Sequence, residues 1–256
     1  MRDFKVKDGF GLFFTGQTGY IVKSPSGMLV AVDPYLTDSC RTVVNEGFKR
    51  LIPNVLEPDE LRFDAVICTH EHADHLDTGC IAQLAETCGA LYVNRESISL
   101  LDGMGVKGGN IRLIGEGMSF SVGDIAVEAV FCDHGTSAPN AVGLIITVCG
   151  KSLYITGDTS YRPDMLGYIA DRKPDIMSLP INGDCGNMNE EEAADFAALI
   201  KPGLVTPSHY GMFAAQGGCV KRFCELIRER NPGQKYIIMC PGEGIEIGGQ
   251  AVNKPL

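Results

Sequence analysis

The residues with the clearest capacity for chemistry in this 256-residue sequence are its five histidines. Three of them lie in the segment THEHADH at residues 69–75, directly after an apolar run. In extended backbone, side chains two residues apart point the same way, so His70 and His72 can converge on one ion. Asp74 and His75 follow and can face a second ion beside it. Imidazole and carboxylate groups are ligands for zinc, iron or manganese, so the segment predicts a metal site.

The remaining histidines and one further aspartate occupy the same kind of position in the chain. His134 ends the apolar run VEAVFCDH, and His209 ends LVTPSH. Asp158 likewise ends SLYITGD. Strand ends next to turns are where α/β folds place their functional loops. The sequence therefore predicts that these three side chains join the cluster at 70–75.

The elements that must position these residues can be read from the apolar pattern. Residues 38–63 are mixed in character and predict a long loop or short helices, whereas helices are predicted near 78–88, 95–104, 190–200 and 216–230. The alternation predicts an α/β fold in a single domain over residues 1–256. The predicted strands are FGLFFTG, TGYIVKS, MLVAVDP, DAVICT, ALYV, GMSFSV, DIAVEAVFC, VGLIITVC, KSLYITG, PDIMSLP, LVTPSH and KYIIMC.

Composition excludes several classes of protein. The net charge is −10, and the basic clusters are no larger than a Lys-Arg pair, which argues against a nucleic-acid partner. No apolar run approaches the roughly 20 residues needed to span a bilayer, and no signal segment is evident, so a cytoplasmic location without membrane association is expected. The ten cysteines form no Cys-x-x-Cys pair and are expected to be reduced thiols.

With these residues in place, the sequence resembles the metallo-β-lactamase superfamily. The signature of that family is His-x-His-x-Asp-His, followed by a distant His, a distant Asp and a final His, and the likeness extends from the opening strands to about residue 213. The resemblance implies a four-layer αβ/βα sandwich with two metal ions. It assigns His70, His72 and His134 to one ion, Asp74, His75 and His209 to the other, and Asp158 to a bridging position.

Within the superfamily, the sequence is most similar to the L-ascorbate-6-phosphate lactonase-like branch, although the lactonases proper are longer chains. The resemblance implies a hydrolase that uses two divalent ions, manganese or zinc, and a hydroxide held between them. The expected substrate is small and anionic, such as a sugar-phosphate lactone. Phosphodiester hydrolysis is the alternative, and a homo-oligomer is compatible with either. The matching segments are GFGLFFTGQTGYIVKS, VDPYL, LEPDELRFDAV, DHLD, GKSLYITGDTSY and PSHYGMF.

Individual roles follow from this chemistry. Paired ions lower the pKa of a shared water and stabilise a developing oxyanion, and Asp74 is predicted to orient the hydroxide and pass a proton to the leaving group. Metal-bound imidazoles donate their second N–H to a carboxylate, which makes Asp33 and Asp77 candidates for that contact. Asn182 and Tyr210 are predicted to face the substrate.

Other members of the fold fit the sequence less well. A nuclease is disfavoured by the charge. A glutathione-thioester hydrolase would show glycines after the Asp-His pair, where Leu76 and Asp77 stand here. A di-iron oxidoreductase would carry Glu in place of His72. A non-catalytic metal-dependent binding protein would be expected to lack one or more ligands, whereas all seven positions are filled.

Overall fold

The computed structural model describes residues 1–248 and 252–253, which form two sheets flanked by helices. Short 3₁₀ turns follow the first helix, the eighth strand and the fourth helix. The helices are α1 Ser39–Val43, α2 Ile81–Thr87, α3 Arg95–Gly103, α4 Pro163–Leu166, α5 Glu190–Ile200 and α6 Val220–Arg230. The strands are β1 Phe10–Gly16, β2 Gly19–Lys23, β3 Leu29–Val32, β4 Ala65–Cys68, β5 Ala90–Val93, β6 Ile111–Leu113, β7 Ser119–Val122, β8 Ile125–Phe131, β9 Val142–Val148, β10 Lys151–Ile155, β11 Ile176–Pro180, β12 Leu204–Ser208, β13 Gly244–Ile247 and β14 Val252–Asn253.

The first sheet is built from strands at both ends of the chain, and the second from strands in between. The first sheet has the strand order β14-β13-β1-β2-β3-β4-β5-β6, and the second has the order β12-β11-β10-β9-β8-β7. In the first sheet β3, β4, β5 and β6 pair in parallel, and in the second β10, β11 and β12 do so. Functional loops collect at the carboxyl ends of parallel strands, so each sheet directs its loops to one edge.

The core consists of three apolar layers that alternate with the sheets. Side chains of both sheets interlock in the central layer, for example Phe10 and Val22 of the first sheet with Leu144 and Leu153 of the second. A second cluster covers the outer face of the second sheet with α5 and α6, and a third covers the first sheet with α2 and α3. The order helix, sheet, sheet, helix confirms the predicted four-layer α/β sandwich.

The structure differs from the sequence-based elements mainly near the end of the chain. The segment KYIIMC, predicted as a strand, contacts β12 only through a bridge between Tyr236 and Val205. Past this point the chain crosses to the first sheet, where Phe14 and Gly242 share a backbone hydrogen bond. A segment that passes between two sheets cannot pair continuously with either, which explains why the apolar run does not form a strand.

The structure also shows the state of the cysteines and the character of the helices. All ten cysteines are free thiols, and four of them, Cys149, Cys185, Cys219 and Cys240, are exposed. Among the described residues, the helices are too short or too polar to traverse a bilayer.

Candidate metal centre

Seven polar side chains meet at the edge of the sandwich where loops from both sheets approach one another. The loop after β4 carries four of them, and β8, β10 and β12 each lead into one more. The approach to Asp158 requires a glycine, because Gly157 has a φ of +69° and a Cβ there would lie 2.8 Å from the carbonyl oxygen of Val142. All seven residues singled out by the sequence are thus brought together. They are His70, His72, Asp74, His75, His134, Asp158 and His209.

The first group of ligating atoms contains three imidazoles. The Nε2 atom of His70 lies 3.0 Å from Nδ1 of His72, and Nε2 of His134 lies 3.1 Å from the same Nδ1 atom. The three nitrogen atoms therefore face a common point. His70 and His134 are buried, which shields this point from solvent. Three converging neutral imidazole nitrogens are a donor set suited to a transition-metal ion.

The second group combines a carboxylate with two imidazoles. The Nε2 atom of His209 lies 3.3 Å from Oδ2 of Asp74, and Nε2 of His75 lies 3.9 Å from the same oxygen. Asp158 stands between the two groups. Its Oδ2 atom is 2.9 Å from Nε2 of His209 and 3.9 Å from Nε2 of His134, and its Oδ1 atom is 3.3 Å from Nε2 of His75. One carboxylate thus faces both groups.

The two groups differ in their electrostatics. Burial, reinforced by His75, lowers the pKa of His70 well below its usual value, and burial lowers the pKa of His134 to about 4. In the second group burial also disfavours charge, but nearby carboxylates outweigh it. Asp158 is the largest of these influences and raises the pKa of His209 to about 9 and that of His75 well above its usual range. Without metal, the protons therefore reside on the second group.

Unpartnered atoms test whether the cluster fits a metal. Within the described residues, Nε2 of His75 and Oδ1 of Asp158 are buried and lie 3.3 Å apart, but neither makes a well-formed hydrogen bond. Buried polar atoms without partners are costly, and here two of them point toward one another inside a ring of further donors. The donor set is imidazole and carboxylate, as zinc and manganese sites use. The residues present therefore fit divalent metal ions.

Asp33 lies where a metal-bound imidazole needs an acceptor. Its Oδ2 atom is 2.8 Å from Nδ1 of His75, on the far side of the ring from the ligating nitrogen. The same carboxylate accepts hydrogen bonds from the backbone N–H and the hydroxyl of Thr69, at 2.7 and 2.8 Å. This arrangement fixes the orientation of the imidazole and leaves Nε2 for the site, as a contact of this type requires.

Sequence reasoning did not single out Gln17, which lies in the turn between β1 and β2. Its Nε2 atom donates a hydrogen bond to Oδ2 of Asp74 at 2.8 Å and another to Oε1 of Gln216 at 3.0 Å. Its carbonyl accepts the backbone N–H of His209 at 2.7 Å. Gln17 and His209 both have positive φ, at 56° and 57°, a strained conformation for residues other than glycine. Gln17 therefore ties the first sheet to two of the ligands.

Asn187 is a second residue that the sequence did not indicate. It is buried, and its Nδ2 atom donates to Oδ2 of Asp158 at 2.9 Å. The thiol of Cys132 meanwhile donates to the backbone carbonyl of Asp158 at 3.0 Å. Together these bonds hold the carboxylate between the two groups. The signal available in the sequence was the polar loop 182–189, which contains too many asparagines to identify one.

Three of the other predicted site residues lie elsewhere than expected. Asp77 was expected beside a ligand, but its carboxylate accepts from the segment 36–39 and from Gly79, and no contact with a histidine is seen among the described residues. The Tyr210 hydroxyl donates to the carbonyl of Met239 at 3.4 Å, and its ring packs against the α5–α6 layer. Asn182 is buried in the loop beside Asn189. Neither Tyr210 nor Asn182 lines the pocket over the metal centre.

A pocket of about 390 Å³ opens over the cluster. Its floor includes the ligands His72, Asp74, Asp158 and His209, so a small molecule in the pocket would touch the metal centre. Its upper wall is formed largely by α1, the turn after it, and α3. Concave sites with an apolar wall and a few convergent polar groups are typical of small-molecule binding sites.

The chain is similar in sequence to members of a known family. Residues 30–210 match the family model described as the beta-lactamase superfamily domain. A UPF0173 metal-dependent hydrolase of Symbiobacterium thermophilum is 32% identical over 192 residues, which are 73% of this chain and 84% of that protein. Another, from Methanoculleus marisnigri, is 33% identical over 81% of this chain and 90% of its own length.

The chain therefore belongs to the metallo-β-lactamase superfamily, and it is a metal-dependent hydrolase of that superfamily. The two relatives named above are described as metal-dependent hydrolases, so the lactonase-like branch stays a prediction. The fold agrees with solved structures as well. The isothiocyanate hydrolase from Delia radicum gut bacteria superposes with a TM-score of 0.75 at 20% identity, covering 93% of this chain and 99% of that one.

Proposed function

We propose that the protein is a binuclear hydrolase that cleaves a small lactone or carboxylic ester. The observation that carries the proposal is the placement of Asp158 between two three-residue groups, within each of which the ligating atoms lie within 4.8 Å of one another. A carboxylate in that position is suited to two adjacent ions rather than one. Paired ions of this kind are a recurring arrangement in hydrolases.

The proposed ligand sets follow the two groups described above. His70, His72 and His134 would hold one divalent ion, zinc or manganese, and Asp74, His75 and His209 would hold the other. When bound, the ions supply a water of lowered pKa and polarise the bond to be cleaved.

The protein's own residues then govern orientation and proton movement. Asp74 lines the pocket, and although burial opposes its charge, His75 and His209 hold the pKa of its carboxyl well below the usual range. It is therefore an ionised acceptor, positioned to take a proton from a water molecule and pass it to the leaving oxygen. The hydrogen bond from Gln17 keeps that carboxylate directed into the site.

The lactone part of the proposal rests on the resemblance and on the pocket. A carbonyl electrophile needs one attacking oxygen and stabilisation of one developing negative charge, which this cluster can provide in a confined space. A phosphate on the substrate is not favoured by the pocket wall, because none of the described residues that line it is a lysine or arginine. The phosphorylated lactone expected from the sequence therefore has less support than an unphosphorylated one.

The test is turnover by metal-loaded protein. Purified protein reconstituted with zinc or manganese would be assayed against lactones, carboxylic esters, phosphodiesters and an isothiocyanate, with Asp158→Ala as the inactive reference. We expect two ions per chain by elemental analysis and hydrolysis of at least one lactone or ester that the variant lacks. Turnover of phosphodiesters alone, or of isothiocyanate alone, would overturn the proposed reaction. One ion per chain in a fully active enzyme would overturn the binuclear assignment.

A further inference from the structure

The mouth of the pocket exposes apolar side chains on ordered elements. Val43 at the end of α1 is 59% exposed, Val44 next to it is 49% exposed, and Leu100 of α3 is 38% exposed. All three line the pocket over the metal centre, together with Phe48. Single exposed apolar residues are common on protein surfaces, but several gathered at one concave site indicate a binding surface.

The wall that carries these residues is held firmly in place. The ring of Phe48 packs against Phe213 at a centroid distance of 5.4 Å. The Arg50 guanidinium lies 4.8 Å from the centre of the Tyr35 ring and donates to the carbonyls of Tyr35 and Thr37. The carboxylate of Asp77 accepts from Thr37 as well. Phe48 and the segments on either side of α1 are thus anchored by packing and hydrogen bonds, which lowers the entropic cost of binding a ligand there.

The charge on the pocket wall also bears on which substrates the pocket can accept. Apart from the ligands Asp74 and Asp158, the ionisable carboxylate in the pocket is Glu71, whose Oε2 atom accepts a hydrogen bond from Asn94 at 2.8 Å. No lysine or arginine balances it among the described lining residues. An anionic group on the part of a substrate that lies away from the ions would therefore meet a carboxylate and an apolar wall.

We infer that the substrate is a neutral molecule with an apolar substituent of medium length. The substituent packs against Val43, Val44, Phe48 and Leu100 while the electrophilic carbon faces the ligand cluster. A pocket of about 390 Å³ is at the small end of the range of roughly 300–1,000 Å³ seen for small-molecule sites, which limits the length of that substituent. This inference rests on the proposed function for its electrophile, whereas the apolar wall stands on its own geometry.

A series of substrates tests the inference. Metal-loaded protein would be assayed on γ-butyrolactones with no alkyl chain and with linear chains of two, four and six carbons, beside a phosphorylated sugar lactone. Each methylene buried against the wall is expected to raise kcat/KM about fourfold. We expect the six-carbon lactone to be the best of the series and the phosphorylated lactone to be poor. A flat series, or a higher kcat/KM for the phosphorylated lactone, would overturn the inference.

Matched variants locate the effect in the wall. Leu100 and Leu199 are both leucines on helices and both are 38% exposed, but Leu199 does not line the pocket. Leu100→Gln and Val44→Ser should flatten the rise of kcat/KM with chain length, whereas Leu199→Gln should leave it unchanged. Equal effects of Leu100→Gln and Leu199→Gln would contradict a role for the wall.

A binding measurement separates this inference from the proposed reaction. Titration calorimetry with 2-nonanone, an uncharged ketone that is not hydrolysed, would measure apolar binding in wild type and in the two leucine variants. Binding that Leu100→Gln weakens and Leu199→Gln does not supports the wall, even for a protein that cleaves no lactone or ester. Lactone hydrolysis without any binding of the ketone would overturn the inference and leave the proposed reaction intact.

Discussion

The two ligand groups come partly from the same loop but differ in charge. His70, His72 and His134 form an all-imidazole group in which burial lowers the pKa values of His70 and His134. Asp74, His75 and His209 include a carboxylate and are faced by Asp158, and their imidazoles have raised pKa values. An ion entering the first group meets the neutral imidazoles of His70 and His134, whereas an ion entering the second must displace protons from His75 and His209. Two ligand groups on the same scaffold can therefore differ in how they bind a metal.

The largest effect on activity is expected from Asp158, because its carboxylate faces both ligand groups. Asp158→Ala removes a contact to His75 and to His209 together. We expect hydrolysis to fall by more than the roughly 10²–10⁴-fold typical of a single acid–base group, and metal content to fall with it. Rates and elemental analysis would be measured together, with Asp175→Ala as control, because Asp175 pairs with Lys151 instead. A variant that kept two ions and full activity would show that Asp158 does not bridge.

The second prediction separates chemistry from metal binding within the second group. Asp74→Asn keeps an oxygen that can coordinate weakly but removes the carboxylate that accepts a proton. We expect kcat to fall by roughly 10²–10⁴-fold while metal content changes much less. Steady-state kinetics at saturating metal would measure this. Should the variant retain the wild-type kcat, another residue handles the proton.

Chelation tests both groups at once through stability. Metal bound only by the folded state stabilises it by about 4 kcal/mol at a thousandfold excess over Kd. For a chain of this size each kcal/mol corresponds to about 2–4 °C, so removal of metal should lower Tm on the order of 10 °C. Thermal denaturation before chelation, after it and after addition of zinc would follow the change. An identical Tm in a sample verified to be metal-free would contradict a preformed metal centre.

The smallest effects distinguish two aspartates that the sequence treated alike. Asp33→Asn changes the acceptor at His75 and should weaken metal affinity by roughly 10–100-fold. Asp77→Asn disturbs the hydrogen bonds to the segment 36–39 and to Gly79, so it should lower stability by about 1–3 kcal/mol and leave metal affinity unchanged. Metal titration and urea unfolding of both variants would measure the two quantities. Weaker metal affinity in Asp77→Asn, with a loss of stability alone in Asp33→Asn, would contradict the roles assigned to the two aspartates.

The α/β alternation and the seven clustered residues could be predicted because their signal is local, whereas the four-layer sandwich was implied by the family resemblance. Each lies at the end of an apolar run, and the order of the runs determines which loops meet. The direction in which a side chain points is harder to predict from sequence. Leu76 is fully buried under α2, which turns the next residue, Asp77, away from the ligands and toward the loop before α1.

Long-range contacts explain the residues that sequence reasoning missed. Gln17 and His209 are 192 residues apart, and nothing near Gln17 in the chain indicates that its amide reaches a carboxylate at residue 74. Conversely, proximity in sequence to His209 suggested a substrate contact for Tyr210, although its ring packs on the helical layer. Whether a polar side chain faces a pocket or a core depends on packing that the linear pattern does not contain.

The division of the ligands between the sheets has a mechanical consequence. The loop at 70–75 belongs to the first sheet, whereas His134, Asp158 and His209 follow strands of the second. Bound ions would therefore cross-link the two sheets at one edge of the sandwich, closing loops of more than 60 residues in addition to the packing and hydrogen bonds between the sheets. Separation of the sheets at that edge would require release of an ion, so the metal that serves the chemistry would also set the rate at which the two sheets part.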